Sequence, residues 1–283
     1  MVTSFRGVAA GLGFTEGPVW TQDGRLLLVS TSHGVIYEVS DSGTASVFAR
    51  TGGGPNGMAE AADGSLYVAQ NGGVYGVGER TPDQAAPGIQ RVAGNGVAYL
   101  AEGLDAPNDC CCGPEGRLYF PDPRGPANGE NQEPGRVFTM APDGALGMLA
   151  EGPRFTNGIA FGPDPAQLYV SETFGQRVLV YSVAGAALGE PAEFCRIDPG
   201  FPDGMCFDRQ GRLYVASTLA GQVQVFDAAG KLTERLACGD ESMPTNVCFG
   251  GTDGRTLFVT DARAERLLAF EREAAGLPLF PFR

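Results

Sequence analysis

The feature that most constrains this chain is an internal repeat. A phrase of the form Asp-Gly-Arg-Leu-Tyr-Val recurs at Asp23-Gly24-Arg25, Asp63-Gly64-Ser65, Glu115-Gly116-Arg117, Gln210-Gly211-Arg212 and Asp253-Gly254-Arg255. A degenerate copy opens at Asp164 and leads to Leu168-Tyr169-Val170. Seven residues before each of these six openings lies a short polar phrase: Glu16-Gly17-Pro18, Asn56-Gly57-Met58, Asn108-Asp109-Cys110, Asn157-Gly158-Ile159, Asp203-Gly204-Met205 and Asn246-Val247-Cys248. In the last copy an alternative register, aligning Phe249 with Phe161 and Phe207, puts Thr245 in the polar column instead of Asn246. Six units over 283 residues leave about 47 residues each, the length of a four-stranded propeller blade.

Within each unit, short runs rich in Val, Leu, Tyr and Phe alternate with turn dipeptides such as Asp23-Gly24 and Asp143-Gly144, which reads as β throughout. The 43 glycines and 20 prolines fit that many turns and show no triplet period. The expected architecture is an all-β, six-bladed β-propeller of four-stranded blades, one domain over residues 1–283. Each blade's fourth strand precedes the next polar phrase, yet Phe5 to Ala10 precede the first phrase without a blade of their own. These residues are therefore expected to complete the sixth blade, whose other strands come from residues 246–272, closing the ring and removing its open edge.

In a propeller, equivalent positions of successive blades converge on one axis. The polar column then becomes a ring of Glu16, Asn56, Asn108, Asn157, Asp203 and either Thr245 or Asn246. The chain holds a single histidine, His33, so neither a His-rich zinc site nor a triad away from that residue is available. A ring of carboxylate and amide oxygens suits one divalent cation, Ca²⁺ first, with Mg²⁺, Mn²⁺ or Zn²⁺ as alternatives. A competing reading has Asn and Asp only starting strands and capping turns. Six such residues in register favour the ring.

A second column follows 14 or 15 residues later: Thr31, Gln70, Asp122, Glu172, Ser217 and Asp261. Cys111, in the run Cys110-Cys111-Cys112, aligns with Val19, Ala59, Ala160 and Cys206, which reads as core packing. The odd number of cysteines, seven, does not suggest a secreted disulfide framework. With no signal-like apolar run in residues 1–14, the reading is a cytoplasmic protein. A net charge of −13 argues against nucleic acid and anionic membranes as partners. The polar segment Arg124 to Gly135 reads as a lid over the channel or a surface loop, and His33 as a loop residue.

The phrases Glu16-Gly17-Pro18, Asn108-Asp109, Asn157-Gly158 and Asp203-Gly204-Met205-Cys206 closely resemble the gluconolactonase/regucalcin/luciferin-regenerating-enzyme family. The resemblance implies Glu16, Asn157 and Asp203 as metal ligands, with Asn108 as a further ligand or a substrate contact. Asn56 and Asp109 are expected beside the substrate, Asp203 as general base, and Asp122 at a second metal in some relatives. The implied activity is hydrolysis of a lactone, a sugar lactone or related cyclic ester, as a small-molecule substrate, by a monomer or weak homo-oligomer. Phosphotriester hydrolysis and non-catalytic calcium binding are the alternatives. One position departs from the resemblance. Sugar-lactonase members often carry a substrate-contacting Arg two residues before the Asn-Asp pair, where this chain has Ala106. That departure weakens the case for a polyhydroxylated aldonolactone and opens a less polar lactone or other ester as an alternative.

Overall fold

A computed structural model of the chain describes residues 4–75, 81–94, 96–125 and 127–282. They form six antiparallel sheets whose strands follow chain order from the inside outward, except that the outermost strand of the sixth comes from the start of the chain. The innermost strands are Thr15–Trp20, Pro55–Glu60, Cys111–Cys112, Thr156–Phe161, Phe201–Phe207 and Pro244–Gly250 for blades one to six. Each blade then runs outward through a hairpin whose turn carries the repeated Asp-Gly phrase, as where Gly24 donates its N–H to the Thr21 carbonyl. Blade four departs from four strands. The two-residue strand Ala187–Leu188 pairs with the end of Arg177–Ala184, beside the outer strand Ala192–Arg196, and makes the sheet five-stranded.

The blades are held together by apolar layers, each built from the facing sheets of two neighbours. Val19, Leu27, Val29 and Ile36 of blade one meet Met58, Leu66 and Val68 of blade two. Tyr169 and Val178 of blade four meet Leu213 and Val215 of blade five. The same arrangement joins blades two and three, three and four, and five and six. Alternation along each strand explains this, because every sheet turns one set of side chains to each neighbour and both faces are covered.

A sixth layer closes the circle. Leu26 and Leu28 of blade one pack with Phe258, Leu267 and Ala269 of blade six, and Val8 and Ala9 join them. The N-terminal strand Arg6–Ala10 pairs antiparallel with Arg266–Glu271, with Arg6 opposite Ala269 and Ala10 opposite Arg266. Phe5 lies 6.0 Å from the Phe270 ring, and the Arg266 guanidinium stands 5.5 Å over Phe5. The fold is thus the expected six-bladed propeller with its first strand in its last blade. No disulfide links the seven cysteines. Cys206 and Cys248 are buried, and Cys111 packs at the interface of blades three and four.

Deleting residues 1–10 leaves the edge of Arg266–Glu271 unpaired and uncovers the layer between blades six and one. The deletion should lower Tm by about 10 °C or more in one cooperative transition. A drop of only a degree or two in differential scanning calorimetry would contradict ring closure by this strand.

Candidate active site

The polar column meets where the innermost strands converge. Glu16, Asn56, Asn108, Asn157, Asp203 and Thr245 line the floor of a cavity of about 1240 Å³ open at one end of the channel. Asn246 belongs to the opposite side of that floor, so the Phe249 register is the correct one and Thr245 is the sixth member. Thr245 Oγ1 is committed to its neighbours, donating to the Thr15 carbonyl at 2.8 Å and lying 2.8 Å from Thr260 Oγ1. It contributes closure of the ring more than a free ligand.

Local backbone irregularity aims these side chains. In blades one, two, four and five the pairing of the first two strands slips just where the polar phrase sits: between Glu16 and Val19, Pro55 and Met58, Thr156 and Ile159, and Pro202 and Met205. Such bulges turn a side chain out of the normal alternation, here toward the axis. The glycine that follows permits the crowding. A Cβ on Gly158 would lie 2.3 Å from the Asp203 carbonyl oxygen, and one on Gly204 would strike the Asn246 side chain at 2.1 Å.

The second column fixes the segments that carry the ring. Gln70 Oε1 accepts the Gly54 N–H at 2.5 Å, Asp122 Oδ1 that of Ala106 at 2.7 Å, Glu172 Oε1 that of Arg154 at 2.7 Å, and Asp261 Oδ1 that of Met243 at 2.8 Å. Ser217 Oγ donates to the Pro199 carbonyl at 2.7 Å, and Thr31 Oγ1 to that of Pro55 in the next blade, also at 2.7 Å. Each bond pins a backbone group within a few residues of a ring member. Asp122 therefore takes an anchoring place. Its other oxygen accepts the Asp105 N–H at 3.2 Å and pairs with the Arg136 guanidinium.

Asp109 departs from its expected place. It does not line the open cavity but sits one layer deeper, where Oδ1 accepts the Cys110 N–H at 2.8 Å and Oδ2 that of Ile159 at 3.4 Å. With Asn246 it separates the open cavity from a second, apolar one of about 610 Å³ at the far end, lined by Cys110, Cys112 and Phe280 among others. Asn108 and Asn56 stay on the open side. His33 is an exposed turn residue bonded to Tyr37, away from the cavity. Segment 124–135, apart from Pro126, which lies outside the described residues, supplies one wall of the mouth through Arg124, Asn128 and Glu133.

The electrostatics of the floor are unbalanced. Glu16 and Asp203 are only 3% and 8% exposed. Burial, then the charges of Asp203 and Asp109, push the Glu16 carboxyl well above the usual carboxylate range. Burial, then Asp109, does the same to Asp203, with a hydrogen bond from Asn157 pulling the other way. Burial raises Asp109 itself to about 6. The cavity's one basic lining residue among those described, Arg124, is already paired with Asp105 at 3.1 Å and Glu151 at 2.9 Å. Two amide oxygens beside the carboxylates, Asn56 Oδ1 and Asn157 Oδ1, are buried without a hydrogen-bond partner. An orphaned acceptor costs about 1–3 kcal/mol, and buried like charges cost more. No group of three or more His, Cys, Asp or Glu among the described residues is arranged to hold a metal unaided. A cation here would need the amide oxygens as well, and those are the atoms left unpartnered.

The fold and this ring define a class: six-bladed propellers with an oxygen-donor centre on the axis. Residues 14–263 match the family model described as "SMP-30/Gluconolactonase/LRE-like region", and the chain belongs to that family. Among curated relatives, a gluconolactonase of Zymomonas mobilis is 29% identical over 89% of this chain and 77% of its own. A pentonolactonase of Haloferax volcanii is also 29% identical, over 87% and 81%. Among solved structures, a gluconolactonase from Xanthomonas campestris superposes with a TM-score of 0.79 at 26% identity, covering 95% of this chain and 89% of that one. Regucalcin from Agrobacterium tumefaciens, a calcium-binding protein, gives 0.83 at 20% identity, over 99% and 98%, and speaks to the fold.

The raised pKa values set the sign of a stability test on chelator-treated protein. A carboxyl whose folded pKa lies above its unfolded value costs nothing at low pH and destabilises as pH rises through the folded pKa. Asp203→Asn should therefore raise the Tm of the chelated protein at pH 7.5 and lose that gain toward pH 4.5. A lower Tm at both pH values, read by thermal denaturation, would mean the carboxylates do not repel as described.

Proposed function

We propose that the protein is a divalent-cation-dependent hydrolase that opens a lactone ring, with Ca²⁺ the best-matched ion. The observation that carries this reading is the floor itself: buried carboxylates without a cationic side chain, beside two unpartnered amide oxygens, at the base of a ligand-sized cavity. Hard oxygen donors of this kind match Ca²⁺, which accepts carboxylates and carbonyls in flexible numbers. Glu16, Asn157 and Asp203 are the proposed ligands, with Asn108 either completing the set or touching substrate. The gluconolactonase and pentonolactonase relatives support the reaction class.

A bound divalent cation supplies positive charge where the carbonyl oxygen becomes negative. Asn56 and Asn108 face the same space and orient the ester against that point. Asp203, whose proton affinity is raised by burial and by Asp109, takes a proton from the attacking water. The water oxygen bonds to the carbonyl carbon, the ring C–O bond breaks, and the proton held by Asp203 passes to the departing alkoxide. One lactone and one water give one hydroxy acid, with Asp203 returned to its starting state.

Chelation should abolish acid release from a lactone panel, and added Ca²⁺ or Mn²⁺ should restore it. Asp203→Asn should lower kcat by about 10²–10⁴-fold while retaining weakened cation binding. Near-wild-type turnover in that variant would remove Asp203 from the chemistry. Tight cation binding with no turnover of any lactone would leave a calcium-binding propeller in place of an enzyme. Release of fluoride from an organophosphate, with lactones inert, would move the reaction to phosphorus.

A further inference from the structure

The walls above the floor speak to the substrate. Four aromatic rings from blades two, four and five form a continuous arc along the cavity: Tyr75 lies 5.0 Å from Phe155, Phe155 5.2 Å from Phe174, and Phe174 6.2 Å from Phe201. The arc extends to Leu219 and Val74, which line the same cavity and remain 59% and 51% exposed. Large apolar side chains left in water at a cavity mouth mark a binding surface more often than chance exposure. Phe155 and Leu219 both hold left-handed backbone, at φ +58° and +63°. That conformation strains a non-glycine residue, and such strain gathers at ligand clamps.

Two of the wall's hydroxyl groups are spent internally. Tyr75 donates to the Gly125 carbonyl at 3.0 Å, and Thr173 to the Pro202 carbonyl at 2.9 Å. Ala106 stands where a longer polar residue could reach into the same space. The other polar side chains of the wall lie mainly on the blade-three side, at Asp105, Arg124, Asn128 and Glu133, with Thr218 of blade five. A ring bearing hydroxyls on every carbon would bury several of them against carbon, at a cost a matched site avoids. The cavity volume of about 1240 Å³ also exceeds the roughly 300–1,000 Å³ that encloses a drug-sized ligand, so it has room for more than a lone sugar ring.

The geometry points to a lactone carrying an apolar alkyl or aryl substituent as the preferred substrate, its carbonyl at the floor and its substituent against the Phe155–Phe174–Phe201 arc. This inference rests on the lactonase reading and narrows it. The test compares kcat/KM, in the presence of Ca²⁺, for δ-dodecalactone and dihydrocoumarin against glucono-1,5-lactone, with unsubstituted δ-valerolactone as reference. The apolar substrates should be favoured over gluconolactone by roughly ten- to hundredfold, the range an apolar pocket commands. Phe174→Ala and Leu219→Ser should each cut the dodecalactone-to-valerolactone ratio several-fold, with Phe174→Leu keeping most of it. Leu219, being largely exposed, also guards against loss of folding in the Phe174 variant. Gluconolactone preferred over both apolar substrates, or a ratio unmoved by either variant, overturns the inference while leaving the lactonase reading intact. Failure to hydrolyse any of the four sinks both.

Discussion

Everything in this molecule depends on bringing six strand starts to one axis. Closing the ring brings the same position of each blade to line one cavity, and two of those positions carry carboxylates, with a third in the layer below. Among the described residues lining the cavity only Arg124 is basic, and its charge is already paired with Asp105 and Glu151. Like charges in low dielectric repel more strongly than in water, so the protein carries a standing cost at its centre. A cation bound by those oxygens would turn the cost into affinity, because the donors are already held in place and little ordering remains to be done.

That cost is tolerable because the stabilising contacts lie elsewhere. The apolar layers between neighbouring blades bury Leu27, Val29, Val68, Leu168, Val215 and Leu268 completely, and the N-terminal strand makes the set continuous around the circle. The axis is thereby freed from contributing to the core. Between core and axis stands a layer of anchors, in which Gln70, Asp122, Glu172, Ser217 and Asp261 each bind backbone a few residues before a ring member. Their places are occupied by protein groups, which is why they hold the site without belonging to it.

Much of this was legible in the sequence because a propeller is repetitive in sequence and in space alike. A constant offset of seven residues between the polar phrase and the turn identified the ring members, and the phase of the first strand identified the closure. What escaped has physical causes. Whether Thr245 or Asn246 entered the ring depended on how the sixth innermost strand slips between Pro244 and Asn246, and a one-residue slip reverses the direction of a side chain. Asp109 follows Asn108 directly and so points to the next layer, although adjacency in the motif suggested a shared role. Asp122 shares a column with Gln70 and Ser217, whose side chains bind backbone, and that column membership was the available signal for its anchoring bonds. The aromatic arc could not be read from spacing, since Tyr75, Phe155, Phe174 and Phe201 hold different positions in different blades and their meeting depends on blade geometry.

If the ring of oxygens forms one cation site, isothermal titration of Ca²⁺ into chelator-treated protein will give one ion per chain, and Glu16→Gln will lower the affinity at least tenfold. No binding, or binding that Glu16→Gln leaves unchanged, would contradict such a site.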